Sequence, residues 1–133
     1  MKKRKWILWL DCETDWRGTY IRKLEKLGFD VEVYHKPKQA LSRLTEAINE
    51  QDLPSVILTE FFIQRRRPRI FLSFIDDMVS SGIVIPVICI TSCLSDKLEP
   101  QLKEFRCLSL NLLFPKPPKP KKLFRAIEKV QQS

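Results

Sequence analysis

The sequence predicts an α/β fold, with one parallel five-stranded sheet and helices on both of its faces. Short apolar runs alternate five times with segments whose apolar residues recur at helical spacing. The run at residues 83–90 is β-branched and almost wholly apolar, as a strand covered on both faces should be. The pattern fills 133 residues without an internal repeat or a flexible interdomain linker, which is the length of one domain.

Residues 5–10, rich in Trp, Ile and Leu, read as a buried first strand. Residues 16–27 follow with Tyr20, Leu24 and Leu27 at helical spacing, and Gly28 is placed to end that helix. Residues 31–34 form a short second strand. Pro37 fits the first turn of a second helix whose apolar face is Ala40, Leu41, Leu44, Ala47 and Ile48. Pro54 opens a third strand at residues 55–59. Ile70, Phe71, Phe74, Ile75, Met78 and Val79 make a third helical stripe closed by Gly82, and the fourth strand occupies 83–90. Ser95 or Asp96 caps a fourth helix carrying Leu98, Leu102 and Phe105. Residues 108–114 form the fifth strand, and Leu123, Phe124, Ile127 and Val130 mark the fifth helix. Five βα units joined by right-handed crossovers give a three-layer sandwich, with the flavodoxin-like strand order 2-1-3-4-5 usual at this length. A single domain is expected over 1–133, with basic residues 1–4 as a flexible lead-in.

Composition narrows the function classes. The chain is 44% hydrophobic and 30% charged, with 24 Lys plus Arg against 16 Asp plus Glu and a net charge of +8. That is too apolar for a disordered tail. No apolar run approaches the ~20 residues of a membrane span, so no membrane partner is expected. Residues 2–5 are all basic, as in a secretory signal, but only five apolar residues follow before Asp11, which argues for a cytoplasmic location. Cys12, Cys89, Cys93 and Cys107 contain no Cys-x-x-Cys pair and mostly lie in or beside apolar stretches. They read as reduced thiols packed as small hydrophobes. Zinc-ligand spacing is missing, and His35 is remote in sequence from every cysteine.

In an open parallel sheet, function gathers at the carboxyl ends of the strands, near the switch point between strands 1 and 3. Strand 1 ends in Asp11-Cys12-Glu13, strand 3 in Thr59-Glu60, strand 4 in Thr91-Ser92 and strand 5 in Pro115-Lys116-Pro117. Carboxylates, a hydroxyl and a lysine are thereby expected to converge on one pocket. The segment Ile7-Leu8-Trp9-Leu10-Asp11-Cys12-Glu13 and the segment Pro54-Ser55-Val56-Ile57-Leu58-Thr59-Glu60 carry the acids. With Ile85-Pro86-Val87-Ile88-Cys89-Ile90-Thr91-Ser92 and Phe114-Pro115-Lys116-Pro117, they resemble, in order, the signature segments of CheY-like receiver domains of response regulators. The resemblance covers about residues 5–130. It implies that Glu60 stands at the phosphoacceptor position, with Asp11, Cys12 and Glu13 in the acidic pocket. It also implies that Thr91, Leu113 and Lys116 hold the switch positions.

The departures from the family pattern point to a degenerate, or pseudo-, receiver. The family holds Mg²⁺ between acids on strand 1 and the acceptor aspartate. Cys12 stands at one of those acidic positions, and a thiol is a soft donor for a hard cation. Asp11, Glu13 and Glu60 remain as weak Mg²⁺ candidates, and no cofactor is expected. Glu60 carries its carboxylate about 1.5 Å further out than an aspartate, which works against in-line phosphoryl transfer. Its single charge also falls short of the roughly −2 of a phosphoryl group. Two readings of a Glu60–Lys116 pair stay open: a lock on an active-like arrangement, or a leftover salt bridge with no switching role. Leu113 replaces the family's usual strand-5 aromatic, and Gln64 replaces the proline common after the acceptor.

The net charge resolves into three clusters, at residues 1–5, 65–69 and 116–129. Together they hold 14 of the 24 basic residues, leaving ten against 15 acids elsewhere. Arg65, Arg66, Arg67 and Arg69 follow strand 3, and Lys119, Lys121 and Lys122 follow strand 5, so both groups should rim the Glu60 pocket. The stretch Lys116-Pro117-Pro118-Lys119-Pro120-Lys121-Lys122 is expected to be stiff and extended, its lysines held outward. The family's partner face, formed by helix 4, strand 5 and helix 5, would here carry Lys97, Lys103, Arg106, Lys122, Arg125 and Lys129. An acidic protein on that face or on the rim is the expected partner, the chain being a monomer or homodimer. A solvated basic surface with no binding role is the plain alternative. Nucleic acid ranks lower, because no aromatic platform interleaves the lysines, and Trp6, Trp9 and Trp16 read as packing. The expected function is a stand-alone, non-enzymatic signalling module that binds a protein independently of phosphorylation. The alternatives are a conventional phosphoacceptor receiver using Glu60 with Mg²⁺, and a small basic nucleic-acid-binding regulator.

Overall fold

The structure, a computed structural model, describes residues 5–12, 18–61, 68–92 and 98–131. Its sheet is built from β1 (Trp6–Leu10), β2 (Asp30–Tyr34), β3 (Val56–Glu60), β4 (Val87–Thr91) and β5 (Leu113–Pro115). The order is β2-β1-β3-β4-β5 and every neighbouring pair is parallel, as expected. Helices α1 (Gly18–Lys26), α2 (Pro37–Asn49), α3 (Arg69–Ser80), α4 (Leu98–Leu102) and α5 (Pro120–Gln131) alternate with the strands. This is the flavodoxin-like (βα)₅ topology predicted above.

Every residue of β1, β3 and β4 is buried, because these strands have a neighbour on each side and helices on both faces. The period-2 alternation of a strand divides their side chains between two cores. Trp6, Leu8 and Leu10 pack with Leu44 of α2 and with Phe71, Leu72 and Ile75 of α3. Ile7 and Trp9 pack on the other face with Tyr20 and Leu24 of α1 and with Leu123 and Ile127 of α5. Both tryptophans are packing residues, as predicted. Trp6 also donates its indole N–H to the Asp52 carbonyl at 3.1 Å, and the Arg43 guanidinium stacks 4.4 Å from its ring. Gly28 ends the α1 turn and Gly82 the α3 turn, with φ of 95° and 89°, the left-handed conformation a side chain would disfavour.

Three boundaries differ from the sequence expectation. The fourth strand begins at Val87 and not at Ile83, since Pro86 has no N–H for the ladder and Val84 is 73% exposed. Strand 5 is only three residues, a 3₁₀ turn at Leu110–Leu112 taking the place of its first half. Helix α4 has only five residues, so Phe105 is buried beyond its end rather than on it. The segment after α4 is held from α3: both Asp76 oxygens accept backbone N–H bonds, from Arg106 at 3.1 Å and Cys107 at 2.8 Å. A carboxylate thus satisfies donors that a longer helix would have satisfied. Ser95, Asp96 and Trp16 lie outside the described residues.

This attachment gives a measurable expectation. Asp76→Ala leaves two N–H groups without their charged acceptor and should lower unfolding stability by about 1–2 kcal/mol. Urea unfolding would read this as a lower midpoint with an unchanged slope.

Candidate functional site

The carboxyl ends of β1, β3, β4 and β5 bring together the residues that the sequence placed there. Leu10 pairs with Thr59 in the β1–β3 ladder, so Asp11 and Glu60 leave adjacent strands at neighbouring registers. Asp11 is fully buried and Glu60 is 5% exposed. The Asp11 backbone is fixed by its N–H bond to the Tyr34 carbonyl at 2.9 Å, and His35 Nδ1 lies 3.1 Å from the Asp11 carbonyl oxygen. Lys116, just past β5, donates its Nζ to Glu60 Oε1 at 2.8 Å and to Asp11 Oδ1 at 3.2 Å. The Lys116 side chain is 5% exposed, so this is a buried ion triad.

Cys12 completes the arrangement from two sides. Its backbone N–H donates to Glu60 Oε1 at 2.9 Å, and its Sγ lies 3.5 Å from Oε1 and 3.8 Å from Oε2. Burial acts to raise the Glu60 pKa. The opposing effects, a hydrogen bond shared with Asp11, the Lys116 ammonium and the Cys12 N–H, prevail and hold it below the ordinary carboxylate value.

Thr91 is buried at the end of β4, where its carbonyl accepts the Lys116 N–H at 3.0 Å. Leu113 is half-buried and packs against the α2–α3 core, two residues before the end of β5. Lys116 contradicts the expectation of an outward, extended lysine stretch. A cis Lys116–Pro117 bond turns the chain, Pro120 already starts α5, and the Tyr20 hydroxyl donates to the Pro118 carbonyl. The lysine side chain is therefore drawn inward by two carboxylates. Lys119, Lys121 and Lys122 are exposed, and exposed Arg69 pairs with Glu104 at 3.4 Å. Glu13, Arg65, Arg66, Arg67 and Lys97 lie outside the described residues.

Two contributors were not visible in the sequence. The Cys12 N–H acts through the backbone and has no residue-type signature. Tyr20 read only as part of a helical face, although its hydroxyl anchors the turn that carries Lys116. Two surface concavities, lined by Lys5, Ser55, Ile83 and Val84 among others, sit at the amino end of the sheet, away from this cluster.

Asp11, Cys12 and Glu60 offer one ligand atom each, all within 4.8 Å of one another. The set does not fit Mg²⁺, the ion that the resemblance implies. Mg²⁺ takes oxygen donors in near-ideal octahedral geometry. Here one donor is a thiol, and Lys116 already engages an oxygen of each acid.

Because the Glu60 pKa is lowered on folding, its ionised carboxylate stabilises the fold above the ordinary carboxylate range. That contribution is lost as pH falls through the folded pKa. Lys116→Met leaves two buried carboxylates facing each other and should cost about 3–5 kcal/mol at neutral pH. The same change should raise the Glu60 pKa, so the variant's deficit shrinks as pH falls toward ~4. Denaturant unfolding at a series of pH values would read both effects.

No family model matches the sequence, and no curated protein matches it. Solved structures do match in three dimensions. The chemotaxis response regulator CheY4 of Vibrio cholerae superposes with a TM-score of 0.72 at 18% identity, over 96% of this chain and 99% of that one. A response-regulator receiver domain from Clostridium thermocellum gives 0.72 at 21% identity, over 96% and 94%. The signal receiver domain of an HD domain-containing protein from Pseudomonas fluorescens gives 0.76 at 15% identity, over 99% and 90%. At these identities the likeness is one of architecture, and the chain has the fold of a response-regulator receiver domain.

Proposed function

We propose that this chain is a receiver-type signalling module that binds a protein partner without a phosphoryl switch. The observation that carries this reading is the engagement of Glu60. Its Oε1 already meets Lys116 Nζ at 2.8 Å, the Cys12 N–H at 2.9 Å and Cys12 Sγ at 3.5 Å. Phosphoryl transfer depends on an in-line nucleophile and a metal that neutralises the transferring group. A glutamate tied to an ammonium, beside a thiol in place of an acid, is poorly built for both. Lys116 is drawn onto both carboxylates, where it competes with any incoming group for the Glu60 oxygen. No enzymatic step is assigned to it.

We assign the partner surface to the face where exposed positive charge accumulates. Helices α1 and α5 share one core, with Tyr20 and Phe124 rings meeting edge to face at 6.2 Å. Their outer surface carries exposed Arg22, Lys23 and Lys26 from α1 and exposed Lys121, Lys122, Arg125 and Lys129 from α5. Glu25 and Glu128 are the exposed acids of these two helices. Around α4 the charges are balanced instead: Lys103 pairs with Glu99 at 3.5 Å and Arg69 with Glu104. An acidic protein surface lying across α1 and α5 is the partner that this distribution favours. No helix of the described residues is long and apolar enough to cross a membrane.

Incubation with acetyl phosphate and Mg²⁺, followed by intact mass measurement, should leave the chain unmodified. A stable phosphoryl adduct that disappears in Glu60→Gln would overturn the reading in favour of a conventional phosphoacceptor. Tight binding to random duplex DNA with a steep salt slope would favour the nucleic-acid alternative.

A further inference from the structure

Of the sheet's two edge strands, β5 is blunted against further pairing and β2 is not. β5 has three residues and ends in Pro115, and shortness and proline both discourage a new neighbour. β2 has five residues and no proline, and each of them is at least partly open to solvent, while β1, β3 and β4 are buried throughout. The Asp30 N–H bonds to the Lys5 carbonyl at 3.0 Å, and the Tyr34 carbonyl accepts the Asp11 N–H at 2.9 Å. The even-numbered residues of β2 thus face β1. In its unbroken parallel register the alternate residues, Val31 and Val33, turn their N–H and C=O groups outward. Neither has a hydrogen-bond partner on that side among the described residues. Lys36, just before α2, is still extended, with φ of −123° and ψ of 138°. Asp30 and Lys36 are both exposed, one acid and one base at opposite ends of the edge.

We propose that β2 is a self-pairing edge, which joins a second copy of this chain in an antiparallel ladder with Val33 on the two-fold axis. An edge protected against its own kind carries like charges, whereas this one carries opposite charges that a two-fold axis brings together. On that axis Val33 exchanges N–H···O=C bonds with Val33 of the second copy, and Val31 does so with His35 of the second copy. The intervening pairs set Asp30 opposite Lys36 of the second copy, once on each side of the axis, and Glu32 opposite Tyr34. Neighbouring registers are worse. Val31 on the axis opposes Asp30 to Glu32, and Glu32 on the axis opposes two glutamates. Tyr34 on the axis sets Pro37, which lacks an N–H, against Val31. The inference is independent of the acidic-partner reading, since it uses the edge of the sheet and not the outer surface of α1 and α5.

The net charge of +8 opposes association at low ionic strength. The test therefore belongs at about 0.15 M salt, where the Debye length is about 8 Å and pairs in contact survive. Sedimentation equilibrium of the full chain should show a monomer–dimer equilibrium, and a monomer at every concentration up to ~1 mM would overturn the proposal. Lys36→Glu, at an exposed site whose side chain makes no cap bond, should weaken the dimer at least about tenfold. Adding Asp30→Lys reverses both charges and should restore it. A dimer indifferent to Lys36→Glu, or not restored by the second reversal, would count against this edge and sink the proposal. Hydrogen exchange on the wild-type chain reads the edge without any substitution. The Val31 and Val33 amides, outward-facing in the monomer, should exchange more slowly as the dimer becomes populated. Unchanged exchange at those residues in a populated dimer would place the contact elsewhere and overturn the proposal.

Discussion

A buried ammonium shared by two carboxylates organises the carboxyl end of the sheet. Lys116 lies 105 residues from Asp11 and 56 from Glu60, so one side chain joins three separate parts of the chain. Strand β4 stands between β3 and β5, and two strand spacings amount to about 10 Å. Only a long side chain leaving β5 reaches Glu60 across that gap, and a cation is what the carboxylates require. The fold thereby sets both the length and the sign of the residue at this position.

The architecture was readable because the chain repeats one pattern five times. Each apolar run is bounded by Gly, Pro or a polar turn, and each helix shows one apolar face. One boundary, at α4, differs where a side chain from elsewhere intervenes. Nothing near residue 105 announces that Asp76 of α3 will hold the N–H groups of Arg106 and Cys107 and so end the α4 region early. The pocket residues Asp11, Cys12, Glu60 and Lys116 were legible from strand order alone, because parallel sheets put carboxyl ends together. Side-chain direction was not. Lys116 and Lys119 both lie in the lysine–proline stretch, yet one is buried against acids and the other is exposed.

Two electrostatic systems of different kind coexist here. The triad is dry, so its charges interact strongly and respond weakly to added salt. The cations on α1 and α5 are exposed, and individually such groups contribute little to stability. Their collective field extends further from the surface than any one of them and is screened by salt. The net charge of +8 is thus a property of the surface and the triad one of internal order, even though Lys116 is counted in both.

The Tyr20 hydroxyl gives these two systems a mechanical link. It leaves the inner face of α1 and holds the Pro118 carbonyl, two residues beyond Lys116. A ligand that displaces α1 must either break that bond or carry the turn with it, and the turn determines where the ammonium sits. One phenol oxygen thus fastens the α1 layer to the turn that delivers the ammonium to the buried end of the sheet.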